Sequence, residues 1–249
     1  MPAGSFMRRI QERGRLIAGV DQNTLLFGYL DPATGGFRGF EVDLLRELAR
    51  AIFGDPSRVE FKAALTTRQR LQYVQNGSVD IVADAITITC DRLRDVAFSS
   101  VYYDAAQRLL VPANSPARRA ADLREKRVCA RAGTTSFENL ARQPFHPAPV
   151  PVQERTDCLV LLQERKVDAI TSDDSILRGF QEQDPYTKLL PGSLEPEPYG
   201  MAIAKSHPEF VRFVNGVLQK MRSDGRWGAI YRRWLGSPVP VPPAARYRD

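Results

Sequence analysis

The alternation of short apolar runs with amphipathic segments constrains the fold of this chain most. In the N-terminal part, "RLIAGV", "VEFKAA" and "VDIVADAI" have the length and composition of buried strands. Two helical patterns separate them, "GFEVDLLRELARAIFG" and "TRQRLQYVQNG", and each ends at a glycine. This β-α-β-α-β order predicts an α/β sheet with short crossovers.

A second series of the same kind follows along the chain. The segments "KRVCAR", "APVPV" and "VDAITSD" read as strands, and "GTTSFENLA" and "RTDCLVLLQERK" read as the helices between them. A repeated alternation of this kind predicts a second α/β lobe. The segments "AQRLLVPA" and "YGMAIAK" read as strands near the two places where the chain passes between lobes.

We therefore expect two lobes joined by two extended hinge crossings, with a ligand cleft between the lobes. Lobe 1 is expected to contain residues 1–108 and 202–249, and lobe 2 residues 109–201. The proline-rich end, residues 237–249, is expected to be a loose tail.

Composition and charge exclude several classes of function. The 35 basic and 29 acidic residues give a net charge of +6, but the basic residues are scattered, so we expect no nucleic-acid binding. Two histidines and three cysteines fit no metal spacing, and we expect no metal, no cofactor and no histidine-based catalytic triad. No apolar run is long enough to cross a bilayer, and the N-terminus lacks the apolar region of a signal peptide. We therefore expect a protein that either is cytoplasmic or begins after a removed leader.

Polar residues stand where several predicted strands end. Arg92 follows one strand end, and its planar guanidinium suits a carboxylate. Thr134 and Thr135 open a helix, where N–H groups and hydroxyls bind anions. Asp21 and Asp173 offer the opposite charge for an ammonium group. Because ligands of open α/β sheets bind at the carboxyl ends of strands, this set predicts a site for an α-amino acid.

Each of these residues also has a simpler structural interpretation. Thr134 or Thr135 alone is equally typical of a helix N-cap, and Asp173 and Asp174 alone of a cap for the next helix. Arg92 alone is more typical of a solvated surface charge. Only their joint order along the chain favours a ligand site.

That order resembles the family 3 extracellular solute-binding proteins, which are the amino-acid receptors of ABC importers. The resemblance is greatest to the actinobacterial glutamate-binding branch. It spans about residues 8–236 and rests on "RGRLIAGVDQNTLLFGYLDP", "GFEVDLLRELARAIFG", "VDIVADAITITCDR", "VAFSSVYY", "KRVCARAGTTS", "VDAITSDDSIL", "EPYGMAIAK" and "DGRWGAIYRRWL". It implies a two-lobe type II periplasmic-binding-protein fold and an ABC permease as partner. We also expect a monomer on the cell surface, tethered as a lipoprotein after removal of a leader.

The resemblance also implies roles for individual residues. Arg92 and Thr87 would hold the ligand's α-carboxylate from lobe 1, and Thr135, with the region of Thr134, would hold it from lobe 2. Three further site residues are implied or inferred around the amino group: Asp173 as its acidic partner, Ala85 through its backbone carbonyl, and Asp21.

Arginines lead to a prediction for the ligand's side chain. Arg70 occupies a position where the glutamate-binding branch similarly places a side-chain-binding arginine, and Arg131 precedes the anion-binding turn of lobe 2. Arg155 is a weaker third candidate. Two converging guanidiniums favour L-glutamate or L-aspartate over the amides. Asp84 departs from that branch, and an acid facing the cleft would instead favour glutamine or a basic amino acid.

The three cysteines predict one disulfide. Cys129 lies in the first strand of lobe 2, and Cys158 starts a helix that should pack on that sheet, so we expect these two to be bonded. Cys90 belongs to the other lobe and is expected to be a buried free thiol. The alternative is three reduced, buried cysteines.

Three functions fit such a chain. The first is a binding protein that captures glutamate or aspartate, closes by a hinge motion and delivers its ligand to an ABC importer. The second is a sensor module that reports amino acids to a signalling partner. The third is an enzyme of the cyclohexadienyl-dehydratase type, which needs a general acid beside a departing hydroxyl. We expect no enzymatic activity, because no acid in the predicted site is assigned to a leaving group.

Overall fold

The structure is a computed structural model that describes residues 4–63 and 66–244. Its helices are α1 (Phe6–Arg13), α2 (Phe40–Phe53), α3 (Thr67–Gln75), α4 (Cys90–Asp95), α5 (Thr135–Leu140), α6 (Arg155–Gln163), α7 (Asp174–Gln183), α8 (Pro208–Ser223) and α9 (Arg226–Leu235), with a 3-10 turn at Ala120–Leu123.

Its strands are β1 (Leu16–Val20), β2 (Asn23–Thr24), β3 (Gly28–Leu30), β4 (Phe37–Arg38), β5 (Val59–Ala63), β6 (Ile81–Val82), β7 (Ala97–Phe98), β8 (Tyr103–Pro112), β9 (Arg127–Arg131), β10 (Ala148–Val152), β11 (Ala169–Asp173), β12 (Thr187–Leu189), β13 (Pro196–Tyr199) and β14 (Ala202–Ile203).

The chain divides into two compact units. Lobe 1 contains Met1–Asp104 and Pro198–Asp249, and lobe 2 contains Ala105–Glu197. The chain therefore leaves lobe 1 within β8 and returns within β13. Both divisions lie a few residues before the expected ends of the lobes at residues 108 and 201.

The main sheet of lobe 1 has the strand order β5-β1-β6-β14-β7. Strand β1 pairs in parallel with β5 and β6, as the β-α-β-α-β pattern predicts, and β14 joins the sheet antiparallel. Helix α2 buries Leu44, Leu45 and Leu48 completely. Burial of such leucines stabilises a fold by about 1.5–3 kcal/mol each, so this helix face contributes strongly to the core.

The start of helix α2 requires a glycine. Gly39 has a φ of 134°, and a Cβ atom at this position would lie 2.1 Å from the carbonyl oxygen of Phe27. No side chain fits this contact, so the glycine allows the first turn of α2 to approach the backbone of Phe27, between β2 and β3. That close approach brings the second residue of the helix, Glu41, into the interior of lobe 1.

Strand β6 is shorter than the sequence indicates. The apolar run predicts a strand from Val79 to Ile86, whereas the structure has only Ile81–Val82 in strand conformation. The physical reason is Ala85, whose φ of 44° interrupts extended backbone geometry. The chain thus bends where the predicted ligand site begins.

Lobe 2 contains a sheet of order β10-β9-β11-β8-β12, with β13 paired to β8. Strand β9 pairs in parallel with β10 and β11. The core of lobe 2 is a cluster of buried apolar side chains from strands, helix α5 and the connecting segments: Leu109, Val111, Ala117, Leu123, Val128, Leu140, Phe145, Ala169 and Leu190.

The cysteines are distributed as one disulfide and one free thiol. Cys129 in β9 is bonded to Cys158 in α6, and both are buried. The expectation that Cys90 is buried is wrong, because the structure exposes it. Cys90 is the first residue of α4, a short helix that has no buried residue.

The C-terminal segment has no helix or strand between residues 237 and 244. Pro243 is nevertheless buried, and it lines a groove of about 820 Å³ in lobe 1 together with residues such as Phe98 and Val211. The rest of the expected loose tail, residues 245–249, lies outside the described residues. Within the described chain, no helix is long and apolar enough to span a membrane.

Candidate functional site

Lobe 1 gathers the expected site residues around the carboxyl ends of β1 and β6. We call Asp21, Arg70, Ala85, Thr87 and Arg92 the lobe 1 cluster. Asp21 follows β1, Ala85 and Thr87 follow β6, and the two arginines lie in the short helices α3 and α4. Except for the half-buried Arg92, all of them are buried.

Arg92 is fixed beside Thr87. Its Nη1 donates a hydrogen bond to the carbonyl oxygen of Thr87 at 2.8 Å. Helix α4 is capped by Thr89, whose hydroxyl accepts from the Arg92 N–H at 3.2 Å. The residue is therefore held at both its backbone and its guanidinium, which favours a role as a preoriented anion anchor over a mobile surface charge.

Arg70 forms a buried ion pair with Asp84. The nearest guanidinium and carboxylate atoms lie 3.5 Å apart, and the side chains are only 3% and 1% exposed. Arg70 also donates to the backbone carbonyl of Asp84 at 2.6 Å. The charge of Arg70 is therefore matched within lobe 1.

Glu41 is a buried acid at the same strand end. Its Oε1 accepts hydrogen bonds from the Ala85 N–H at 2.7 Å and from the Tyr102 hydroxyl. Burial raises the pKa of Glu41 to about 7, and nearby Asp84 and Asp21 act in the same direction, whereas the two hydrogen bonds lower it.

Asp21 holds the turn that follows β1. One carboxylate oxygen accepts from the Asn23 N–H at 2.8 Å, and the other accepts from the Thr24 hydroxyl at 2.9 Å. Its side chain is thus positioned by its own turn, as is common for an aspartate just after a strand.

Asp173 is the acid at the carboxyl end of β11 in lobe 2. It is buried and accepts a hydrogen bond from the Ser136 hydroxyl at 3.1 Å. It stands at the N-cap of α7 but makes no side-chain capping bond there. The simpler interpretation of Asp173 as a helix cap is therefore not supported.

The neighbouring Asp174 accepts hydrogen bonds from the Ala106 and Ser175 N–H groups, and burial raises its pKa.

Thr134 and Thr135 have partners within lobe 2. Thr134 is the N-cap of α5: its hydroxyl accepts from the Phe137 N–H at 3.2 Å and donates to the Arg131 carbonyl at 2.7 Å. The Thr135 hydroxyl donates to the buried carboxylate of Glu197 at 2.8 Å. The capping interpretation of Thr134 is thus correct in this structure, and both hydroxyls already have acceptors.

Arg131 is also paired within its own lobe. Its Nε donates to the Gln153 carbonyl at 3.0 Å, and its Nη2 lies 3.7 Å from a Glu154 carboxylate oxygen. Its side chain is buried at the end of β9. We call Arg131, Thr134, Thr135 and Asp173 the lobe 2 cluster.

Glu41 and Glu197 contact expected site residues but were not predicted from the sequence. The position of Glu41 could have been noticed in the sequence. It lies four residues before Leu45 and seven before Leu48, on the apolar face of the predicted helix, where an acid is unusual. Glu197 stands in β13 next to prolines, and only the folded lobe brings it to Thr135.

The chain belongs to the bacterial extracellular solute-binding proteins, family 3, because the model of that family matches residues 16–237. Its two-lobe α/β fold is the type II fold of periplasmic amino-acid-binding proteins. The resemblance drawn from the sequence motifs is confirmed at the level of the family.

Several known proteins are similar to this chain. The ABC transporter glutamine-binding protein GlnH of Bacillus subtilis is 32% identical over 227 residues, which cover 91% of this chain and 83% of the relative. An L-glutamate/L-aspartate-binding protein of Pseudomonas aeruginosa is 25% identical over 244 residues, covering 94% and 81%.

Solved structures show the same similarity. An ancestral arginine-binding protein bound to glutamine has a TM-score of 0.81 at 28% identity, covering 90% of this chain and 99% of that chain. A solute receptor for L-cysteine of Neisseria gonorrhoeae has a TM-score of 0.84 at 27% identity, covering 92% and 93%. Three of these four proteins are described as binding proteins and the fourth as a solute receptor.

Proposed function

We propose that the protein is an amino-acid receptor whose two clusters act on one ligand. Arg92 and Thr87 bind the α-carboxylate, with the backbone around Thr135 as a second donor, and Asp173 and the Ala85 carbonyl bind the ammonium group. The observation that carries the proposal is the pair Arg92 and Asp173, which have opposite charges: Arg92 is held beside Thr87 in lobe 1, and Asp173 is held at the end of β11 in lobe 2. Such a pair matches the zwitterion shared by all α-amino acids.

We propose that the receptor works outside the cell and delivers its ligand to the permease of an ABC importer. A ligand that contacts both lobes favours their approach, so capture would proceed by hinge closure. The name of the Bacillus relative, an ABC transporter glutamine-binding protein, supports this role. Tethering to the cell surface as a lipoprotein and a monomeric state are further parts of the proposal.

The side-chain preference depends on how the arginines are paired. The sequence favours L-glutamate or L-aspartate because Arg70 and Arg131 are both expected to bind the ligand's side chain, and the name of the Pseudomonas relative agrees with this preference. In the structure, however, Arg70 is paired with Asp84 and Arg131 with Glu154. Since a second carboxylate would then meet two matched charges, we propose that L-glutamine is the preferred ligand and that L-glutamate is its competitor.

A thermal-shift screen of the twenty amino acids tests the function. A ligand at a hundredfold excess over its Kd should stabilise the protein by about 2.7 kcal/mol. We expect stabilisation by glutamine, glutamate or a related polar amino acid in the wild type and much less in Arg92→Ala. If no amino acid stabilises the wild type, the proposal is wrong.

Sensing and catalysis are the competing roles for the same pocket. A sensor would bind the same amino acid, so co-purification with a permease, as opposed to a signalling protein, separates the two. A dehydratase would need a protonated acid beside a leaving hydroxyl. Conversion of prephenate or arogenate by the purified protein would therefore contradict the receptor proposal.

A further inference from the structure

The peptide group between Asp84 and Ala85 is held at both ends by buried ionisable side chains. Arg70 Nη1 donates to its carbonyl oxygen at 2.6 Å, and Glu41 Oε1 accepts from its N–H at 2.7 Å. Because the peptide is planar, the two bonds together fix its orientation. The two side chains come from helices α2 and α3, so the contact depends on the tertiary fold.

This peptide needs such support because Ala85 is in an unfavourable conformation. Its φ of 44° lies in the left-handed region, where a Cβ atom crowds the backbone. Residues of this kind persist only where their surroundings over-determine them, and they concentrate at functional sites. Without Arg70 and Glu41, the segment would gain a more extended alternative that continues β6.

Once the Asp84–Ala85 peptide is fixed, the direction of the next carbonyl, that of Ala85, depends only on the φ and ψ angles of Ala85. We propose that Glu41 and Arg70 are positioning residues that hold this peptide so that the Ala85 carbonyl is oriented for the ammonium group of the ligand. The inference rests on the proposed function. It assigns Arg70 a role through the backbone in place of direct contact with the ligand's side chain.

Ligand affinity should fall when the side chain at position 41 can no longer accept a hydrogen bond from the Ala85 N–H. If only about one molecule in ten then keeps the binding-competent backbone, the apparent Kd rises about tenfold. We expect this rise in Glu41→Ala, measured by isothermal titration calorimetry with the amino acid that binds the wild type best. Glu41→Gln should stay within about threefold of the wild type, because its amide oxygen can accept the same hydrogen bond.

Two further variants separate positioning from general destabilisation. Glu47→Ala is a matched control, because Glu47 is a buried acid of the same helix that pairs with Arg50 and Arg226, away from Ala85. It should leave Kd within about threefold. Ala85→Gly, added to Glu41→Ala, should restore part of the lost affinity, since glycine adopts positive φ at little cost.

Should Glu41→Ala fail to fold, Glu41→Asp replaces it, because its carboxylate is one methylene shorter and does not reach the Ala85 N–H. Wild-type affinity in whichever variant folds would overturn the inference while leaving the receptor function intact. An equal loss in Glu41→Gln or in Glu47→Ala would also overturn it. A wild type that binds no amino acid would reject the proposed function and the inference with it.

Discussion

Arg70 and Asp84 form an ion pair that is almost completely closed to solvent, with the two side chains 3% and 1% exposed. A buried arginine without a partner would attract any anion that enters its surroundings, whereas a paired one does so much less. Asp84 is therefore the internal counterion of Arg70. This relationship connects the fold of lobe 1 to the proposed preference for a neutral side chain.

Replacing Asp84 should shift selectivity toward an acidic ligand. In Asp84→Asn the charge of Arg70 becomes unmatched, so the ratio of glutamate affinity to glutamine affinity should rise by about tenfold, which is about 1.4 kcal/mol. Competition calorimetry measures this ratio. Asp80→Asn, which removes a buried acid paired with Arg13, is the control and should leave the ratio unchanged. A constant ratio in Asp84→Asn would show that the pair does not influence the ligand's side chain.

Replacing Arg92 should remove the main anchor of the α-carboxylate. Loss of one partner of a desolvated charge pair costs about 2–5 kcal/mol, so Arg92→Ala should weaken binding about 30-fold or more. Arg94→Ala is the matched control, because Arg94 lies in the same helix, is 79% exposed and pairs only loosely with Asp91 at 3.4 Å. If the two variants bind the ligand equally well, Arg92 is not part of the site.

Removing the disulfide should destabilise the protein without changing its ligand affinity. Cys129 and Cys158 are separated by 29 residues, and closing a loop of this length contributes about 3–4 kcal/mol in the chain-entropy model. We expect the double variant Cys129→Ala/Cys158→Ala to lose about this much in urea unfolding. Cys90→Ser, at an exposed position, should change the free energy of unfolding by no more than about 0.5 kcal/mol. A double variant as stable as the wild type would contradict the prediction.

Stability should depend on pH through Glu41. Its pKa rises from 4.5 to about 7 on folding, so between these values the folded state binds more protons than the unfolded state. The contribution of Glu41 is therefore fully present below about pH 4.5 and is lost as the pH rises through 7, a change of about 3 kcal/mol. Unfolding of wild type and Glu41→Gln from pH 4.5 to 8 measures it: the variant should lack this component, and Glu47→Gln should keep it. Identical dependence of the free energy of unfolding on pH in the wild type and Glu41→Gln would rule out this contribution of Glu41.

The two alternating series, β1-α2-β5-α3-β6 and β9-α5-β10-α6-β11, were predictable from the sequence because they follow from local periodicity. The leucines of α2 and the apolar run of β1 show the expected patterns, and the family follows from motifs spread along the whole chain. The end of β6 was not predictable in this way. The positive φ of Ala85 is stabilised by Glu41, which lies 44 residues earlier, and no local pattern records that contact.

The site shows the same division between local and tertiary information. Asp21, Arg92 and Asp173 were identified as candidates because polar residues at strand ends are visible in the sequence. The direction of the Asp84 side chain could not be predicted, because its partner Arg70 comes from helix α3 and the pairing exists only in the folded lobe. The ligand roles of all these residues stay predictions until binding is measured.

The most direct test of the receptor account is competition calorimetry of the wild-type protein with L-glutamine, L-glutamate, L-aspartate, L-asparagine and L-arginine. The pairing of Arg70 with Asp84 and of Arg131 with Glu154 predicts the lowest Kd for glutamine. Glutamate should bind at least about tenfold more weakly, since the two arginines expected to bind its second carboxylate already have acidic partners. Tighter binding of glutamate than of glutamine would contradict this reading of the ion pairs, and binding of none of the five would contradict the receptor function itself.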